Sequence, residues 1–194
     1  PVIILLRLAF LVGDAEFGHR YIVLVGNSVR LAGMAAVLAV VLAVFLVYGR
    51  RLYPQSLNRI GVIFASLGYA IPGSVIAVGV LLPFAWTDNA VDAFMRQHFG
   101  ISTGLVLTGS LAALVTAYLV RFLAVAVQAV DAGFAKISPA MDDAARALGA
   151  PPWRRLRQVH WPLLRRSVMA AGLLVFVDAI KELPATMILQ PFNF

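Results

Sequence analysis

The feature that most limits how this chain can fold is a series of long apolar runs from which charge is excluded. Ile60 to Trp86 contains no charged residue, Leu31 to Tyr48 contains none, and Ile101 to Val130 contains only Arg121. At about 1.5 Å per residue, runs of this length match the ~30 Å hydrocarbon layer of a bilayer. The whole sequence is 61% hydrophobic and 13% charged, with a mean hydropathy of +0.89. A water-soluble domain has no interior large enough to hide that much apolar surface. The expected fold class is all-α, a polytopic membrane helical bundle. Spans are expected at about 1–12 (partial), 22–48, 60–86, 101–130 and 167–190. The chain reads as a fragment truncated at both ends.

Charge placement then sets orientation. A net charge of +7 could suit nucleic acid, but the basic residues gather at the ends of apolar runs rather than along a stripe. Nucleic acid is therefore not an expected partner, whereas the lipid bilayer is. Arg50 to Arg59 and Lys136 to Arg166 are basic, and the other two connections are mixed. The positive-inside rule places the basic pair in the cytoplasm and Asp14 and Asp88 outside.

Several chemistries are excluded. With no cysteine, the chain has no disulfide, thiolate metal site or cysteine nucleophile. No G-x-x-x-x-G-K-[ST] phosphate loop occurs, and no Ser/His/Asp grouping or H-E-x-x-H motif suggests an enzyme. His19, His98 and His160 lack ligand spacing, so neither a metal site nor a cofactor in this chain is expected.

One long polar stretch stands out, Ser138 to Pro162, SPAMDDAARALGAPPWRRLRQVHWP. Ser138 is an expected N-cap with Pro139 at the first helical position. Asp142 and Asp143 suit the start of that helix, with Asp142 spaced to pair with Arg146. Gly149 suits a left-handed C′ position, and Pro151-Pro152 stops the first helix. A second helix from about Pro152 carries Trp153, Leu156 and Val159 on one side. Pro162 is expected to end it. Such a hairpin could lie on anionic lipid or dock as a helix in a partner's groove.

Three charges, Asp178, Lys181 and Glu182, fall inside the last apolar run. Charge at membrane depth costs of order 2.5–3.5 kcal/mol per residue on insertion scales. Their spacing places them on one helical face, which either faces a permeation pathway or holds helices together through an Asp178–Lys181 pair. Pro184 should loosen the backbone nearby. Pro72-Gly73 is expected to kink or break its helix, and Arg121 is expected to snorkel to the cytoplasmic interface.

The Ser138–Pro162 stretch resembles the EAA loop of ATP-binding-cassette importer permeases. That pattern is Glu-Ala-Ala, three residues, Gly, nine residues, then Ile-x-Leu-Pro. Here Asp143-Ala144-Ala145, Gly149, Val159 and Pro162 keep the spacing, with Asp for Glu, Val for Ile and Trp161 for Leu. VFVDAIKELPAT, SLGYAIPGSVIAVG and AYLVRFLAVA further resemble the C-terminal half of ferric iron importer permeases, from about Tyr21 to Phe194.

The resemblance implies a type I importer-like permease in the bacterial cytoplasmic (inner) membrane. It also implies 138–162 as cytoplasmic coupling helices, with Asp143, Ala144, Ala145, Gly149, Val159 and Pro162 as the ATPase-coupling residues. The implied partners are two copies of an ABC ATPase that holds the ATP and Mg, a periplasmic or extracellular substrate-binding protein, and a second permease half. Ferric iron enters as substrate only through this resemblance. Other small solutes (thiamine, a polyamine, a phosphonate or an oxyanion) remain open, as do a secondary transporter or channel and a noncatalytic scaffold.

Overall fold

The computed structural model describes residues 19–53 and 56–190; the expected partial span at 1–12 lies outside them. Every regular element among the described residues is helical. In order they are α1 (His19–Leu52), α2 (Ser56–Leu67) with a 3₁₀ turn (Gly68–Ala70), α3 (Gly73–Phe99), α4 (Leu111–Ala135), α5 (Pro139–Ala147), α6 (Pro152–Arg155), α7 (Trp161–Ile180) and α8 (Pro184–Leu189). Among the described residues, three helices are long and apolar enough to cross a membrane: Ile22–Leu52, Gly73–Phe99 and Leu111–Ala135.

α4 forms the centre and packs most extensively against α1 and α7. Its residues Leu114, Tyr118, Phe122, Val127 and Val130 are buried. α1 buries Ala32, Ala35, Ala36, Ala39 and Ala43, spaced at one helical face, and packs against both α4 and α7. Small side chains let helix backbones approach where apolar attraction alone gives no advantage over lipid. Arg50 meets Asp131 and Gly133 lies against Ser167 and Leu164, so α1 and α4 run in parallel and α7 runs against them. Val37, Phe45, Met169 and Leu173 point outward, the reverse of a soluble bundle.

Helix boundaries differ from the sequence expectation in four places, each for a local reason. The uncharged run 60–86 does not form one helix: Ile71 is extended (φ −90°, ψ 133°) because Pro72 follows it. The broken helix expected at Pro72-Gly73 is thus observed. α3 continues past Trp86 to Phe99 and ends with Gly100 left-handed at φ 67°. Residues 101–110 are not helical and fold back onto α3 instead. Asp88 accepts hydrogen bonds from the Val106, Leu107 and Thr108 amides, and Asp92 from those of Thr103 and Gly104. Those carboxylates answer backbone donors that no helix satisfies.

The third place is Pro162. It does not end the second hairpin helix, because a π-helical turn over Leu156–His160 carries the chain from α6 into α7. Proline in the first turn of α7 needs no N–H, so the helix passes through it. The fourth lies within the run 167–190, where α7 stops at Ile180 and α8 starts at Pro184.

Candidate functional site

The polar hairpin folds largely as its residues dictate. The Ser138 hydroxyl accepts from the Ala140 amide, and Pro139 takes the first helical position of α5. At the other end Gly149 adopts φ +71°. Its amide donates to the Arg146 carbonyl at 2.9 Å and the Ala150 amide to the Ala145 carbonyl at 3.0 Å. These two bonds form a Schellman cap, which a left-handed glycine makes possible.

Asp142 does not pair with Arg146. It turns inward to Arg51, whose Nε donates to Oδ2 at 2.7 Å, and lies 2.7 Å from His160 Nε2 through Oδ1. The remaining nitrogens of Arg51 donate to the carbonyls of Phe134 and Ile137 at 2.9 and 2.8 Å. A planar fork of donors suits this task, because it closes the end of α4 and holds a carboxylate at once. The Arg146 pair goes to Asp143 instead, at 3.7 Å and well exposed.

Around this pair the Tyr48 hydroxyl donates to the Pro152 carbonyl at 2.6 Å. The Tyr48, Phe134 and His160 rings contact one another with centroids 5.5 to 6.1 Å apart. The hairpin is therefore clamped to the basic end of α1 and to the end of α4. Arg155 also turns inward, leaving Nε and Nη1 without a hydrogen-bond partner among the described residues.

These contacts shift two titrations. Burial is the largest influence on His160 and lowers its pKa; Asp142 restores part of it, while Arg51 and Arg155 lower it further. Burial raises the Asp142 carboxyl, but the Arg51 hydrogen bond and the charges of His160 and Arg51 outweigh it, holding the group below the carboxylate range.

The expected coupling residues divide into two sets. Ala145 is buried and Val159 half-buried. Asp143, Ala144, Gly149 and Pro162 are exposed, as are Leu148 at 87% and Trp153 at 66%. The exposed set presents a partly apolar surface that nothing among the described residues covers. Arg51, Tyr48 and His160 were not singled out as site residues by the sequence. Arg51 was legible only as one more positive charge in a basic connection.

A second polar centre lies inside the bundle. Arg121 does not snorkel: its Nε stands 3.0 Å from Glu182 Oε2, and its Nη1 donates to the Ile71 carbonyl at 3.1 Å. Arg121 is ten residues into α4, about 15 Å from the start of that helix. Glu182 is 7% exposed and accepts from the Ala185 amide at 3.4 Å. The Asp178–Lys181 pair, one of the two alternatives for this run, does not form. The reason is that α7 ends at Ile180, so Lys181 and Glu182 do not share a continuous helical face with Asp178. Asp178 is half-buried and Lys181 exposed. Among the described residues, no group of three or more His, Cys, Asp or Glu is placed to hold a metal ion.

Comparison with known proteins accords with this architecture. Residues 35–191 match the family described as the binding-protein-dependent transport system inner membrane component. The chain is 33% identical over 122 residues to a protein of Salmonella typhimurium named as a 2-aminoethylphosphonate transport system permease, PhnV, covering 63% of this chain and 40% of that one. It is 25% identical over 174 residues to the ferric transport system permease protein FbpB of Actinobacillus pleuropneumoniae, covering 89% and 25%. It is 27% identical over 163 residues to the Fe(3+)-transport system permease protein FbpB 2 of Haemophilus influenzae, covering 84% and 29%. The chain thus spans at most 40% of the length of these relatives. With its all-α membrane bundle and the matched region covering most of its length, the chain belongs to the binding-protein-dependent inner membrane permeases, multi-pass components of the bacterial inner membrane.

Proposed function

We propose that this chain forms part of the solute pathway of an ATP-binding-cassette importer and receives the force of a separate ATPase through the 138–162 hairpin. The observation that carries the reading is the clamped hairpin. One side is fixed to α1 and α4 through Asp142, Arg51 and His160, and the other exposes Asp143, Leu148 and Trp153. A partner that pushes on the exposed side moves α1, α4 and α7 together, because α6 passes into α7 through a continuous helical path. Helix-in-groove docking is the physical type of contact that such a surface suits. The partners in this reading are two ATPase copies carrying ATP and Mg, a second permease half and a substrate-binding protein.

Ferric iron is the substrate we place first, because relatives named for ferric transport align over 84% and 89% of the chain. A phosphonate stands second, supported by the higher identity to PhnV over a shorter stretch. The test is reconstitution of the full-length permease with its ATPase in proteoliposomes, measuring ATP-dependent uptake of each solute delivered by its binding protein. Uptake of iron and not of 2-aminoethylphosphonate is the expected result; the reverse overturns the iron assignment, and no ATP-dependent uptake of any solute overturns the importer reading.

A further inference from the structure

Three segments meet at Arg121 and Glu182, and two of them are places where a helix is interrupted. The Ile71 carbonyl, left without a helical partner at the α2–α3 break, is taken by Arg121. Glu182 sits in the α7–α8 break, and its carboxylate packs so closely on Gly73, the first residue of α3, that any Cβ there would collide with it and with Arg121. One turn before Arg121, the Tyr118 hydroxyl bonds Thr186 at 2.6 Å and lies 3.3 Å from the Glu182 carbonyl. Polar side chains thus tie both breaks to α4.

The placement matters mechanically. Within a helix body, separating two side chains requires the whole rod to move or the backbone ladder to break. At an interruption, a few residues can absorb the rotation and leave each helix intact. With Glu182 buried and Arg121 largely so, the pair is also held or parted as a unit, because leaving the buried charge alone is costly. We infer that Arg121 and Glu182 are positioning residues for transport: their pairing latches both interrupted helices against α4 at rest, and the transport cycle parts it. This inference rests on the importer reading and adds to it the residues that hold the resting state closed.

The full-length transporter with its ATPase in proteoliposomes provides the test, read as uptake and as ATP hydrolysis without binding protein. Glu182→Gln keeps the shape and removes the charge. A latch predicts a several-fold rise in binding-protein-independent hydrolysis and less uptake per ATP, with Glu182→Asp, which keeps the charge, closer to wild type in both. A second arm joins Tyr118→Cys and Thr186→Cys, in a full-length transporter otherwise free of cysteine, with a bifunctional methanethiosulfonate that bridges them through reducible disulfides; uptake should fall on bridging and recover on reduction. Wild-type hydrolysis and uptake in E182Q, lower protein yield with an unchanged ratio of uptake to hydrolysis, or full uptake by the bridged protein would each overturn the latch. An unmodified transporter without ATP-dependent uptake would overturn the importer reading itself, and this inference with it.

Discussion

Arg51 at the end of α1 and Asp142 in the first hairpin helix, 91 positions apart in the chain, meet at 2.7 Å, with their side chains only 19% and 10% exposed. The same guanidinium holds the Phe134 and Ile137 carbonyls. One side chain therefore ties the hairpin to two helices of the bundle, so motion at the hairpin and motion in the bundle are linked.

Arg51→Ala should detach the hairpin without unfolding the bundle. Removing one partner of a buried ion pair costs about 3–5 kcal/mol, and two carbonyls lose their donor as well. Limited proteolysis should show new cleavage within residues 136–160 while the membrane core stays protected. Arg51→Lys should restore little, since an ammonium cannot span a carboxylate and two carbonyls in one plane.

Acid should loosen the same clamp. The folded pKa of His160 lies below its ordinary 6.5, so the unfolded hairpin binds a proton that the folded one refuses. Its contribution to stability is complete above pH 6.5 and declines as pH falls through that value toward the folded pKa. Asp142, whose folded pKa lies below its ordinary 3.8, adds a loss in the same direction at lower pH. Protection of the hairpin amides, taken as exchange relative to the intrinsic rate at each pH, should fall from near pH 6.5 downward, and His160→Gln should remove that upper step; protection that is unchanged between pH 7 and 5 in the wild type would contradict this.

Gly149→Val should act through the backbone alone, because no atom lies within 4 Å of a Cβ built at Gly149 and only its φ of +71° is unfavourable. A left-handed residue with a Cβ costs roughly 1–2 kcal/mol, and more when β-branched. Transport and substrate-stimulated ATP hydrolysis should fall with the bundle still inserted, and Gly149→Asn should be milder. Normal transport by the valine variant would remove Gly149 from the coupling assignment.

Asp143→Ala should separate docking from folding. Its side chain is 71% exposed and its contact with Arg146 is long, so thermal stability should change by less than about 1 kcal/mol. Co-purification with the ATPase should nonetheless weaken. Equal recovery of the ATPase would place the docking surface elsewhere on the hairpin.

Topology can be read with single cysteines in a chain that has none. Arg154 is the proper reporter, being exposed, whereas Arg155 is buried. A cysteine at 154 should react with an impermeant thiol reagent from the cytoplasmic side and not from the other.

Local chemistry made much of this protein legible without coordinates. The uncharged runs call for helices in lipid, because a helix satisfies its own backbone there within one continuous apolar run. Pro72 forces Ile71 out of the helical region, and Ser138, Pro139 and Gly149 define both ends of α5 within a few residues of themselves. What the sequence left undecided was which distant residue each charge would meet. Asp142 had Arg146 within reach and took Arg51 and His160. Glu182 and Arg121, in separate runs, paired across the bundle, while Asp178 and Lys181 did not. Helical spacing offers every charge a nearby neighbour, but the energy depends on burial and on the carbonyls and amides that share the contact. Those are fixed only once α1, α4 and α7 are packed and the breaks at residues 71–72 and 181–183 are brought against α4.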